Sequence, residues 1–209
     1  MKQCVVVDLD HTLIKGNTFV LFVFYVFRRS LLRFKVFRFV IILYLLFLRK
    51  LRLVSHSGFK KRFLGVIQRG LLSVEIEEFC NRMLIKRSHV VWSLVQQFRN
   101  AGHPVCLATA APDVYVSVIV KMLNFDMYTA TSSNYDESSW YESIREKKLQ
   151  DVLCVLKEKG LDIDVVITDH YDDLPLLRAA GGRKILISPG QKTIDCLREA
   201  KLDFEIIKG

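Results

Sequence analysis

Four places in this chain hold residues suited to handling phosphate. Asp8, Asp10 and Thr12 lie within five residues, Thr109 follows a short apolar run, Lys148 stands near the start of a helical pattern, and Asp169, Asp172 and Asp173 follow another apolar run. Carboxylates drawn together repel one another unless a cation or a proton lies among them. An oxygen-rich set of this kind suits Mg²⁺, which takes octahedral oxygen ligands and keeps waters that a phosphate can replace. A lysine adds fixed positive charge, and the whole makes the parts of a phosphoryl-transfer site. Helix caps and turns also use aspartate, and for Asp172 that is the preferred reading; caps do not explain three such groups converging.

These residues need strands that end beside one another. Cys4 to Val7 is a β-branched run ending at Asp8, Pro104 to Leu107 one that delivers Thr109, and Asp164 to Thr168 one that delivers Asp169. Further strands are expected at Met127 to Thr131, Lys184 to Ile187 and Phe204 to Ile207. Helices are expected at Val90 to Arg99, Pro112 to Leu123, Arg145 to Lys159 (closed by Gly160), Leu174 to Ala180 and Ile194 to Ala200, with a loop over Asn134 to Ser139. Strands alternating with helices predict an α/β fold, a parallel sheet covered on both faces, with ligands at the carboxyl ends of its strands.

Residues 16 to about 87 differ in kind and read as helical throughout, with a turn at Ser55 to Gly58 and a helix start at Ser73, where Glu75, Glu77 and Glu78 favour the positive end of the dipole. Gly16 to Phe27 and Phe39 to Leu48 carry no charge but fall short of the about 20 apolar residues that span a bilayer. The chain has 209 residues and a net charge of +9. From His11 to Val74 there are thirteen Lys and Arg and no Asp or Glu, so the rest of the chain is slightly acidic. With 51% hydrophobic residues the chain is too apolar for disorder. Five widely spaced cysteines (Cys4, Cys80, Cys106, Cys154, Cys196) read as reduced, buried thiols, and Met1 to Val7 lacks the apolar length of a signal peptide. The expected location is cytoplasmic, or peripheral to the inner face of the membrane.

Asp8-Leu9-Asp10-His11-Thr12-Leu13, Thr109-Ala110-Ala111-Pro112, a later lysine, and Thr168-Asp169-His170-Tyr171-Asp172-Asp173-Leu174-Pro175 resemble, in order, the four motifs of the haloacid dehalogenase superfamily. The insertion between the first and second motifs resembles that of subfamily I, the phosphoserine-phosphatase-like group with a helical cap at this place. The resemblance implies a Rossmann-like three-layer core, residues 1–15 and 88–209, with residues 16–87 as the cap. It implies Asp8 as nucleophile, Asp10 as general acid and base, and Mg²⁺ held by Asp8, the Asp10 backbone carbonyl and Asp169, with Asp173 orienting metal and lysine. Thr12, Thr109 and Ala110 would serve the substrate, Thr109 with the following N–H on the phosphoryl oxygens, and the lysine would offset charge on the nucleophile. Lys148 is chosen over Lys147 because Leu149, Val152 and Leu153 then share one apolar helix face. His11 stands where the family has glycine, and Thr109 where serine is common.

By the same resemblance a cap carboxylate for the serine ammonium would fall at Asn17, which argues against phosphoserine. The basic insertion favours a small phosphorylated substrate with further negative charge, or an anionic membrane surface bearing a lipid phosphate, as in the phosphatidylglycerophosphatases that the chain also resembles. A nucleic-acid binder is not expected, because the cations are interleaved with bulky aliphatic residues. His56, His89 and His103 read as surface or packing residues, and His170 equally as a substrate contact or a loop-shaping residue.

Overall fold

A computed structural model describes residues 2–68, 70–134 and 140–209. Six parallel strands form one sheet in the order β3-β2-β1-β4-β5-β6, with β1 at Lys2–Val7, β2 at Val105–Pro112, β3 at Met127–Thr131, β4 at Leu161–Thr168, β5 at Lys184–Ile187 and β6 at Glu205–Ile207. β1 pairs on one side with β2 (Val5 opposite Val105) and on the other with β4 (Val7 opposite Ile167). The two-residue period of a strand sends Val5 and Val7 into the core on one face and Cys4 and Val6 into that on the other, which is why an uninterrupted apolar run is needed there. The strand order reverses beside β1, so the carboxyl ends of β1 and β4 open a crevice.

Among the described residues five helices intervene between β1 and β2, the first four of them in the insertion: α1 Thr18–Leu32, α2 Val36–Lys50, α3 His56–Gln68 and α4 Ser73–Ile85. The remaining helices are α5 His89–Asn100, α6 Asp113–Leu123, α7 Arg145–Lys157, α8 Leu174–Ala179 and α9 Gln191–Glu199. Phe22 of α1 packs against Phe79 of α4 and Tyr115 of α6, with ring centroids 4.9 and 4.8 Å away, so the inserted helices share one apolar core with the sheet face beneath them.

Three expectations change. Ser55 to Gly58 is not a turn but the start of α3, where the Ser55 hydroxyl accepts from the Gly58 N–H at 3.0 Å, and the chain turns earlier, through Leu51–Val54. β4 begins at Leu161, three residues before the apolar run, because Leu161 and Asp162 still pair with Lys2 and Gln3. Of the cysteines, Cys4, Cys80 and Cys106 are buried, but Cys154 is exposed and Cys196 half-buried. The loop expected at Asn134 to Ser139 falls, from residue 135 on, outside the described residues.

Candidate active site

Asp8 leaves β1 and the chain folds back at once: the N–H of Leu13 donates to the Asp8 carbonyl and that of Ile14 to the Leu9 carbonyl, at 3.3 and 2.8 Å. The fold-back places His11 at φ 58°, the left-handed region that a glycine enters without cost and that histidine tolerates better than most residues.

The turn brings four carboxylates and a lysine together. Lys148, buried on α7, sets its ammonium 2.8 Å from Asp8 Oδ1 and 2.7 and 3.0 Å from the two oxygens of Asp173. The Thr168 hydroxyl donates to Asp173 Oδ2 at 2.6 Å, so both Asp173 oxygens are taken by protein donors. Burial would depress the Lys148 ammonium, but Asp173 and Asp8 outweigh it and hold the pKa above the ordinary lysine value. Burial pushes the Asp8 carboxyl up to about 8, with Lys148 pulling the other way. Asp10 is also raised by burial; its Oδ1 accepts from the Thr18 N–H at 2.7 Å, at the positive end of α1, which with Lys60 favours the charged form.

Thr12 is buried and donates to Asp169 Oδ1 at 3.2 Å, so it touches a carboxylate of the site, while Asp8, Asp10, Thr109, Lys148, Asp169 and Asp173 all line a cleft of about 340 Å³. The Thr109 hydroxyl oxygen accepts from the Ala111 N–H at 3.0 Å, which leaves its own proton free to donate. The carbonyl of Ala110, also at the cleft, accepts from Thr131 Oγ1 at 2.6 Å and from the Lys60 ammonium at 3.1 Å. Lys147 points elsewhere, 3.5 Å from Asp151 and over the ring of Tyr141. The helix face that explains this is Lys148, Val152 and Leu156, all buried; Leu153 is exposed.

The structure adds residues that sequence reasoning missed. Lys60 of α3 is buried and paired with Glu142, which precedes α7, and its ammonium stands 5.2 Å from the Phe19 ring centroid. Arg145 lines the cleft at φ 50° and donates from Nε to Asp172 Oδ1 at 2.8 Å. Asp172, read as a cap or turn residue, lies in the 3₁₀ turn Tyr171–Asp173 with its N–H donating to His170 Nδ1, and also lines the cleft. Asn17, at the position where the resemblance puts an acid in phosphoserine phosphatases, caps α1 through Val20 N–H and lines the cleft.

Among the described residues no group of three or more His, Cys, Asp or Glu side chains could by itself hold a metal ion. With Asp173 taken by Lys148 and Thr168 and Asp10 turned to α1, the carboxylates left for a cation are those of Asp8 and Asp169. Both are raised by burial, with neighbouring carboxylates adding to the rise, which is the electrostatic demand a cation relieves. An all-oxygen donor set with few protein ligands fits Mg²⁺, which keeps several waters.

A model of the haloacid dehalogenase-like hydrolases matches residues 5–178. Among solved structures, a protein of unknown function from Bordetella pertussis Tohama I is 18% identical over 98% of both chains, with a TM-score of 0.76. A phosphoserine phosphatase in its apo form is 16% identical over 99% of this chain and 94% of that one, with a TM-score of 0.62, and a phospho-aspartyl intermediate analogue of phosphoserine phosphatase is as similar, over 99% and 93%. At these identities the likeness is one of fold. Among curated protein sequences nothing matches the chain.

Proposed function

The chain belongs to the haloacid dehalogenase-like hydrolase family, and from that premise we propose that it is a Mg²⁺-dependent phosphatase that cleaves a phosphomonoester through an aspartyl-phosphate on Asp8. The observation that carries this reading is the position of Asp8: at the end of β1, 2.8 Å from the Lys148 ammonium, in one cleft with Asp10, Thr109 and Asp169.

In this reading an Asp8 oxygen attacks phosphorus as the bond to the leaving oxygen breaks, and Asp10 gives that oxygen its proton. The burial that raises Asp10 suits it to hold a proton for this step. Asp10 then takes a proton from water, whose oxygen attacks the same phosphorus, releasing phosphate and restoring the Asp8 carboxylate. Lys148 offsets the charge of Asp8 and of the phosphoryl oxygens, and the Thr109 hydroxyl and adjoining N–H groups donate to them. Asp8, Asp169 and the Asp10 backbone carbonyl would hold Mg²⁺, which when bound would further neutralise the phosphoryl oxygens. Asp173 and Thr12 position Lys148 and Asp169 respectively.

Residues 16–87 act here as a cap over a core of residues 1–15 and 88–209, closing the cleft against water. The substrate is a small phosphorylated molecule. Structural relatives include phosphoserine phosphatases, but Asn17 carries no charge and Asp172 is paired with Arg145, so among the described residues lining the cleft a substrate ammonium finds no unpaired acid outside the cluster of Asp8, Asp10, Asp169 and Asp173. His11 and His170 line the cleft and offer ring N–H donors to a substrate's oxygens. The test is release of phosphate from a generic aryl phosphate. Turnover with Mg²⁺ that is lost in EDTA supports the reading, and equal turnover in both contradicts it.

A further inference from the structure

α2 is apolar at twelve of its fifteen positions, yet only Ile42 and Leu45 are buried. Val36, Phe37, Val40, Leu43, Tyr44 and Phe47 stand exposed, Phe37 at 86%. A helix apolar all round belongs in a core or a bilayer, and contiguous exposed apolar surface marks a binding face.

The turn leading into α2 repeats the anomaly. The Lys35 N–H donates to the Ser30 carbonyl at 2.9 Å and the Phe34 N–H to that of Leu31 at 3.2 Å, the pattern that closes a helix with one left-handed residue, for which glycine is best suited. That residue is Phe34, at φ 51° and 88% exposed. A phenylalanine here strains the backbone and gains almost no packing within the folded chain.

The surroundings are cationic. Arg28, Lys50 and Arg52 are exposed on and beside the same two helices, Arg33 is paired with Glu75 at 3.0 Å, and no Asp or Glu occurs between His11 and Val74. Among the described residues no helix is long and apolar enough to cross a membrane.

We propose that the α1–α2 hairpin docks the protein on an anionic bilayer surface. Phe34, Phe37 and the exposed face of α2 enter the boundary between headgroups and acyl chains, and the arginines and lysines meet lipid phosphates. A second copy of the chain fits this face poorly, because two-fold pairing would set the same cations against one another. Docking is independent of the catalytic reading, and an Asp8→Asn protein docks as the wild type does.

The full chain is sedimented with phosphatidylglycerol–phosphatidylcholine vesicles and with phosphatidylcholine alone, at low and moderate salt. Binding is expected on the anionic vesicles, falling as salt rises, and weakened about tenfold by Phe37→Ser. Phe34→Gly is expected to weaken binding comparably while leaving the melting temperature equal or higher, which separates docking from folding. No binding to anionic vesicles, binding unaffected by both substitutions, or a concentration-dependent dimer that Phe37→Ser abolishes would each overturn the proposal.

Discussion

The Lys148 ammonium lies 2.8 Å from Asp8 Oδ1 across 140 residues of sequence, buried between that carboxylate and Asp173. Lys148→Met leaves the two carboxylates facing each other without a counter-charge. Loss of one partner from such a buried group costs about 3–5 kcal/mol, so the melting temperature falls by several degrees in EDTA. Turnover falls by about 10³-fold, as expected when fixed charge is removed from a phosphoryl-transfer site. Thermal melts and initial rates of the variant check both, and an unchanged melting temperature would refute the electrostatic account of the cluster.

The buried Thr12 hydroxyl acts on the site through Asp169, to whose Oδ1 it donates at 3.2 Å. In Thr12→Val the carboxylate loses a donor without a change of shape. Half-saturation by Mg²⁺ should shift upward by about tenfold, with turnover at saturating Mg²⁺ near the wild-type value. Initial rates across a Mg²⁺ titration separate this from a role on substrate, which would raise KM for the phosphate ester instead.

Lys60 and Glu142 join α3 to the segment before α7 by a buried ion pair. Glu142→Leu strands a buried ammonium and is expected to lower stability by about 3 kcal/mol or more, whereas combining it with Lys60→Met recovers most of the loss. Urea melts of the two single variants and the double variant give the coupling. Purely additive effects would contradict it.

Burial pushes the thiols of Cys4 and Cys80 up to about 12 and raises that of Cys106 as well. A group that ionises only far above neutrality, and that solvent does not reach, reacts slowly with thiol reagents. At neutral pH the native protein should modify rapidly at Cys154 and Cys196, and at all five cysteines in denaturant. Mass spectrometry of the modified peptides gives the sites, and rapid native modification of Cys106 would contradict the packing.

Much of the site was legible because strands in a parallel sheet are continuous apolar runs: Asp8 and Asp169 directly follow β1 and β4, while Thr109 lies within β2, which runs on to Pro112 rather than ending at Leu107 as expected. The apolar face that places Lys148 differs from the expected Leu149, Val152 and Leu153: the buried face runs through Val152 and Leu156, while Leu153 is exposed, since spacing alone does not say which of two adjacent apolar residues turns inward. Lys60 was not legible at all. Its partner Glu142 lies 82 residues away, and no local pattern distinguishes a buried lysine from the twelve other cations of its stretch. Arg145 escaped notice because its place at the cleft follows from a left-handed backbone at the start of α7, a conformation that an arginine in sequence does not announce.

In the proposed mechanism Asp8 is the group that attacks phosphorus. The most direct measurement is the rate of aryl phosphate hydrolysis by wild type and Asp8→Asn, side by side in Mg²⁺, with folding matched by thermal melts. A loss of at least about 10³-fold in the variant is the predicted result. Equal rates for the two proteins would contradict it.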